Sequence, residues 1–148
     1  MNDHKLQPCE KRTIYQGIRK LMVGAEGVVG GMSKMHKYTL GSRLCQRLEM
    51  LQETTLKAYQ AVGNPERQLK FIGIVKFRLD NLLFTYRVAQ DLHQIRQDAY
   101  IDQVDTIVYL IDRTTAWEKT VAEKCVPGQS TAKSRGVPLS RTVPPNRG

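Results

Sequence analysis

The sequence lacks any apolar run approaching the roughly 20 residues that cross a bilayer, and its start, Met1 to Lys11, lacks the apolar centre of a secretory signal. Cysteine is sparse: Cys9, Cys45 and Cys125 are odd in number and far apart, with neither CxxC spacing nor a secreted disulfide pattern. Both absences point to a soluble protein of the reducing cytoplasm. Histidine is scarce too. His4, His36 and His93 have no Cys or Glu at ligand spacing, and the Glu-x-x-His pairs that hold a carboxylate-bridged metal centre in a helical bundle do not occur. Nor does a glycine-rich phosphate loop, a nucleophile elbow or a zinc-protease helix. The glycines between Gly24 and Gly31 lack the lysine and threonine of a phosphate loop and follow no strand, so they read as helix termination. With these signatures missing, neither cofactor, metal nor enzymatic activity is expected.

Acid is the remaining deficit. Asp and Glu total 14 against 23 Lys and Arg, a net charge of +9 that favours polyanionic partners, nucleic acid first. A chain of 148 residues is sized for one domain. Its composition changes at Val126, after which come Pro127, Pro138, Pro144 and Pro145, with Lys133, Arg135, Arg141 and Arg147 and no acid. This implies a folded body over 1–125 and a basic tail over 126–148, disordered when free. Four of the nine net charges lie in that tail, so the body is basic in its own right.

Four amphipathic helices are expected in the body. The first, from about Lys11 to Val29, repeats Ile14, Ile18, Leu21, Ala25 and Val28 at spacings of three and four. Gly17, Gly24 and Gly27 each cost it about 1 kcal/mol relative to alanine, so its order depends on tertiary packing. The second places Leu40, Leu44, Leu48, Leu51, Thr55, Ala58 and Val62 on one face and ends at Gly63, Asn64 and Pro65, a stop, an N-cap and a first-turn residue in order. The third, Pro65 to about Arg96, carries two stripes. Ile72, Val75, Leu79, Leu82, Tyr86 and Ala89 form a bundle core, while Ile74, Phe77, Phe84, Val88, Leu92 and Ile95 face either another helix of the subunit or another subunit. The fourth, Asp98 to Glu123, is expected to bury Tyr100, Ile101, Val104, Ile107, Val108, Ile111 and Thr115 and to turn Asp98, Asp102, Asp105 and Asp112 to water. Leu110, Trp117 and Val121 form a patch apart from that stripe, and Trp117 serves either local packing or an interface. Short links between helices of similar length predict an all-α, up-down antiparallel four-helix bundle.

Over Thr13 to Val121 the chain resembles a known family, the four-helix-bundle accessory variability determinants of diversity-generating retroelements, relatives of the bundle proteins encoded in ribosomal RNA intervening sequences. Lys34-Met35-His36-Lys37-Tyr38-Thr39-Leu40-Gly41-Ser42-Arg43-Leu44 is similar to the family's Pro-Lys-x-x-Arg-aromatic-x-Leu-Gly-x-Arg-Ile run, with Ser33 in place of the proline and Lys37 of the arginine. Leu79 to Leu92 is similar to the family helix ending in Leu-Arg-Leu-Ala-Lys-Asp-Leu, with Leu83 replacing a common arginine. Tyr100 to Trp117 keeps the spacing from a family tyrosine to its Gly-Gly-Trp, with Thr115 and Ala116 replacing the glycines and Asp112 an arginine.

The resemblance implies a protein without catalysis: a barrel-like homopentamer that binds nucleic acid through basic surfaces and associates with the element's reverse transcriptase, which copies a template RNA with errors. The alternative is the relatives' role, a general nucleic-acid-binding bundle with no polymerase partner. RNA, or DNA, is expected on Lys34, Lys37, Arg43, Arg47, Lys70, Arg78 and Arg87, of which Lys34, Lys37, Arg43 and Arg87 match basic positions of the family motifs. Ile74, Phe77, Phe84, Val88 and Trp117 are the expected oligomer contacts.

Overall fold

α1 (Thr13–Gly30) forms where the periodicity places it, and Ile14, Ile18, Leu21, Ala25 and Val28 are its buried face. The computed structural model describes residues 13–125, so the expected tail lies outside the described residues. Beyond the glycine break, α2 (Lys34–His36), a π-helical turn (Lys37–Gly41) and α3 (Ser42–Gln60) run end to end as one rod. α4 (Pro65–Asp91) and α5 (Gln97–Cys125) complete four rods, with no strand among the described residues.

The turn between α3 and α4 has the expected chemistry. Asn64 Oδ1 accepts the Arg67 N–H at 3.2 Å and Pro65 takes the first helical position, where its missing N–H costs nothing. α3 stops at Gln60, however, so Val62 is 67% exposed rather than part of the buried face. α4 also ends sooner than expected, at Asp91 instead of near Arg96. His93 takes the left-handed conformation, φ 57°, while its N–H donates to Gln90 O and that of Gln94 to Ala89 O at 2.8 Å. This is the paired-bond helix stop usually built on glycine, here on a histidine, and so without its usual mark in the sequence.

Cross-rod contacts set the direction of each rod. Arg78 Nε donates to Thr54 Oγ1 at 3.0 Å and Gln68 Nε2 to Ala58 O at 3.0 Å, which makes α3 and α4 antiparallel. Lys76 with Glu118, and Tyr86 with Gln103, do the same for α4 and α5. Gly17 lies against Leu110 and Gly24 against Gln103, so α1 and α5 are antiparallel as well. The architecture is an up-down four-helix bundle around Ile18, Leu21, Leu44, Leu48, Leu51, Val75, Leu79, Leu82, Tyr86, Ile107 and Leu110.

α5 departs most from its sequence reading. Gln103, Ile107, Leu110, Thr114 and Val121 are buried, whereas Ile101, Val108 and Thr115 are exposed and Tyr100, Val104 and Ile111 lie at the edge of the core. The buried face is turned by about 100° from the expected stripe, the advance of a single residue. Leu110, Trp117 and Val121, read as a separate patch, belong to the core side. The physical reason is Gln103, whose Oε1 accepts the Tyr86 phenol at 3.1 Å, satisfying two buried polar groups at once. Burial pushes the Tyr86 phenol well above its usual range, with Cys45 acting in the same direction, so it remains a protonated donor.

Close approach explains two of the three interior glycines of α1. A Cβ on Gly24 would meet Gln103 Nε2 at 2.1 Å and one on Gly17 would meet Leu110 Cδ2 at 2.5 Å, while nothing lies within 4 Å at Gly27. Gly24→Ala should therefore destabilise the fold by about 1 kcal/mol, overpacking outweighing the gain in helix propensity. Gly27→Ala should stabilise it by roughly 0.5–1 kcal/mol. Urea denaturation of the two variants checks both signs, and equal shifts would show that α1 and α5 are not in this close contact.

Candidate nucleic-acid interface

No acidic residue occurs between Glu26 and Glu49, a stretch that holds Lys34, His36, Lys37, Arg43 and Arg47. The π-helical turn decides where these charges go. In an unbroken α-helix Lys37 and Lys34, seven and ten residues before Leu44, would fall on the buried face. The extra residue of the wide turn rotates that first stretch outward, so Lys34, Met35, Lys37, Tyr38 and Thr39 are all exposed. Leu40 and Gly41 stay buried, Gly41 so close to α1 that a Cβ would lie 2.9 Å from Val29 Cγ1.

This end of the bundle is held from two sides. The Ser33 N–H donates to Gln94 Oε1 at 2.8 Å, tying the start of α2 to the α4–α5 link, and Ser33 Oγ is hydrogen-bonded to His36 Nδ1 at 2.8 Å. Lys34, Lys37 and Arg43 are exposed and make no ion pair with any described residue. They form a positive surface on a fixed rod.

The other expected contacts do not join them. Arg47 is half-buried, its guanidinium donating to Thr85 Oγ1 and Asn81 O across the α3–α4 seam. Arg78 is likewise half-buried and bonded to Thr54. Arg87 is exposed two residues beyond Thr85, turned away from α3. Lys70 is exposed near the α3–α4 turn, at the opposite end of the bundle and roughly 30 Å along the rod from Lys37. Of seven expected residues, three stand exposed at this one end of the α2–α3 rod. Sequence reading passed over two neighbours at that end, Met35 and Tyr38, 68% and 75% exposed. Their signal was present, since neither falls on the Leu40, Leu44, Leu48 face.

A second surface lies on the outer side of α4 and α5. Phe77 and Phe84 are 62% and 63% exposed, and the register of the Tyr86–Gln103 and Lys76–Glu118 contacts sets Phe84 level with Val108, also exposed. Ile101 extends the strip on α5, flanked by exposed Asp102, Asp105 and Asp112. The acid row is therefore solvent-facing, as expected. Ile74 is half-buried, Val88 and Ile95 pack in part on their own core, and Trp117 stacks on Tyr59 at 4.5 Å within the subunit, the local packing of the two alternatives.

Burial and nearby Glu26 and Glu49 push the Cys45 thiol up, and burial with Glu66 does the same for Cys125, so neither is poised as a thiolate. Among the described residues no three His, Cys, Asp or Glu are placed to hold a metal, and no helix is long and apolar enough to cross a membrane. No family model, curated protein or solved structure matches the chain.

The geometry separates arginines that hold the bundle together from lysines that do not. Arg47→Ala and Arg78→Ala should each lower stability by about 0.5–1.5 kcal/mol by breaking seam hydrogen bonds. Lys34→Ala and Lys37→Ala should leave the denaturation midpoint where it is. The comparison is a thermal or urea melt of the four variants, and an unaffected Arg47→Ala protein would remove the seam role.

Proposed function

We propose that the protein is a non-catalytic, RNA-binding accessory subunit of a diversity-generating retroelement, holding the element's reverse transcriptase and template RNA together for mutagenic reverse transcription. One observation carries this reading: Lys34–Leu44, a segment similar to the accessory variability determinants, is also the acid-free end at which Lys34, Lys37 and Arg43 are exposed and make no ion pair with any described residue. Unpaired cations on a preformed surface neutralise phosphates without first giving up ion pairs. A general RNA-binding bundle needs only that end. The exposed strip of Phe77, Phe84, Val108 and Ile101 favours the reading with protein partners, because large apolar side chains left in water mark interaction surfaces.

That strip is the proposed contact between copies in a homopentamer, with Ile74 and Val88 at its edge. Each phenylalanine fully buried there contributes roughly 1.5–3 kcal/mol. Light scattering should give five times the 16.9 kDa chain mass for the native protein and a folded monomer for the Phe77→Glu, Phe84→Glu variant. A monomeric native protein at micromolar concentration would remove the oligomer from the proposal. The protein should also co-purify with its reverse transcriptase and RNA. Co-purification with RNA alone would reduce the function to the general bundle.

A further inference from the structure

Four aromatic side chains are exposed among the described residues, Tyr38, Phe77, Phe84 and Tyr109, and their charge surroundings differ. Asp80 lies within one helical turn of both Phe77 and Phe84, and Asp105 and Asp112 within one turn of Tyr109. An RNA strand approaching those rings meets carboxylates. The other rings have cations nearby too, Lys76 and Arg78 beside Phe77, Arg87 after Phe84 and Arg113 after Tyr109. Tyr38 alone has cations and no acid near it along its own rod: Lys34 one turn before it, Lys37 beside it, Arg43 beyond it, and no acid from residue 27 to residue 48.

Resting on the RNA-binding reading above, we propose that Tyr38 is a base-stacking residue and that this end of the bundle takes unpaired, single-stranded RNA in preference to duplex. The ring is 75% exposed and makes no hydrogen bond to a described residue, so intrachain packing does not account for its position. It is nonetheless held on a rigid support. Leu40 and Gly41 of the same wide turn are buried against α1, and the start of the rod is tied to Gln94. A ring carried on a held backbone loses only its own two side-chain rotations on stacking, and the flanking lysines and Arg43 carry the phosphates on either side of the stacked base. Strandedness follows from the same geometry. In an A-form duplex the base faces are already stacked on one another, so the ring gains nothing there; an unpaired base offers a free face.

The test is RNA binding by the full chain to an unstructured oligouridylate carrying one 2-aminopurine, and to an RNA duplex of equal length. Native protein, Tyr38→Ala, Tyr38→Phe and the Lys34→Gln, Lys37→Gln, Arg43→Gln triple variant are compared. Tyr38→Ala should lose roughly ten- to a hundredfold in affinity for the single strand, with its salt slope and its duplex affinity unchanged, because stacking releases no counterions. Tyr38→Phe should restore both the affinity and the 2-aminopurine quenching. The triple variant should weaken both RNAs and flatten both salt slopes. Native single-strand affinity in Tyr38→Ala beside a weakened triple variant would overturn the stacking role and leave the RNA-binding reading standing. Equal loss on both RNAs would overturn the single-strand preference. Loss of oligomer mass in Tyr38→Ala with RNA affinity intact would make this a protein contact and overturn the proposal. If native protein bound neither RNA, the functional reading itself would fall, and this inference with it.

Discussion

A buried amide sets the geometry of this bundle. Gln103 sits in the core with its carbonyl oxygen on the Tyr86 phenol and its nitrogen against Gly24, so one side chain of α5 meets two of the other three rods, α4 and α1. An unmet hydrogen bond at such a site costs about 1–3 kcal/mol, and sliding α5 along α4 by one turn would break it. Gly24 is the complement. Any larger residue would hold α1 away from the amide, and the seven-residue spacing to Gly17 repeats the same close approach at Leu110. Register and rotation of α5 are thus specified by polar and steric fit, on which the aliphatic layers then close.

That rotation accounts for what the sequence revealed and what it concealed. α1 and α3, and the core stripe of α4, were legible because aliphatic residues at spacings of three and four mark one face and polar residues occupy the rest. α5 has more apolar residues than one face can bury, and its core side includes Gln103 and Thr114. Hydropathy alone selects the richer stripe; the hydrogen bond from the Tyr86 phenol to Gln103 goes with the poorer one, although Thr114 Oγ1 is buried there without a partner among the described residues, and Ile101 and Val108 are left outside. The α4 stop at His93 was hidden for a related reason, since the backbone accepts a strained residue where two carbonyls gain donors.

The basic residues divide in the same way. Sequence offers no means of telling Arg47 and Arg78 from Lys34 and Lys37, because an arginine stem packs along a helix seam as readily as it reaches solvent. Only the α3–α4 register shows that Thr54 and Thr85 are waiting for those guanidinium groups. The outward turn of Lys34 and Lys37 depends on one additional residue in a helical turn, a feature that neither composition nor periodicity marks.

Charge and apolar surface are consequently segregated. α5 has six acidic residues against three basic ones and shares its outer side with the exposed apolar strip, while the start of the α2–α3 rod is free of acid. Acids beside an apolar strip repel a polyanion and leave the strip open to protein, whereas bare cations beside an aromatic ring attract one. With the two surfaces on different parts of a rigid bundle, occupation of one does not exclude occupation of the other. The proposed role, binding further copies, a polymerase and an RNA together, requires that separation, and a single basic and apolar patch would force those partners to compete.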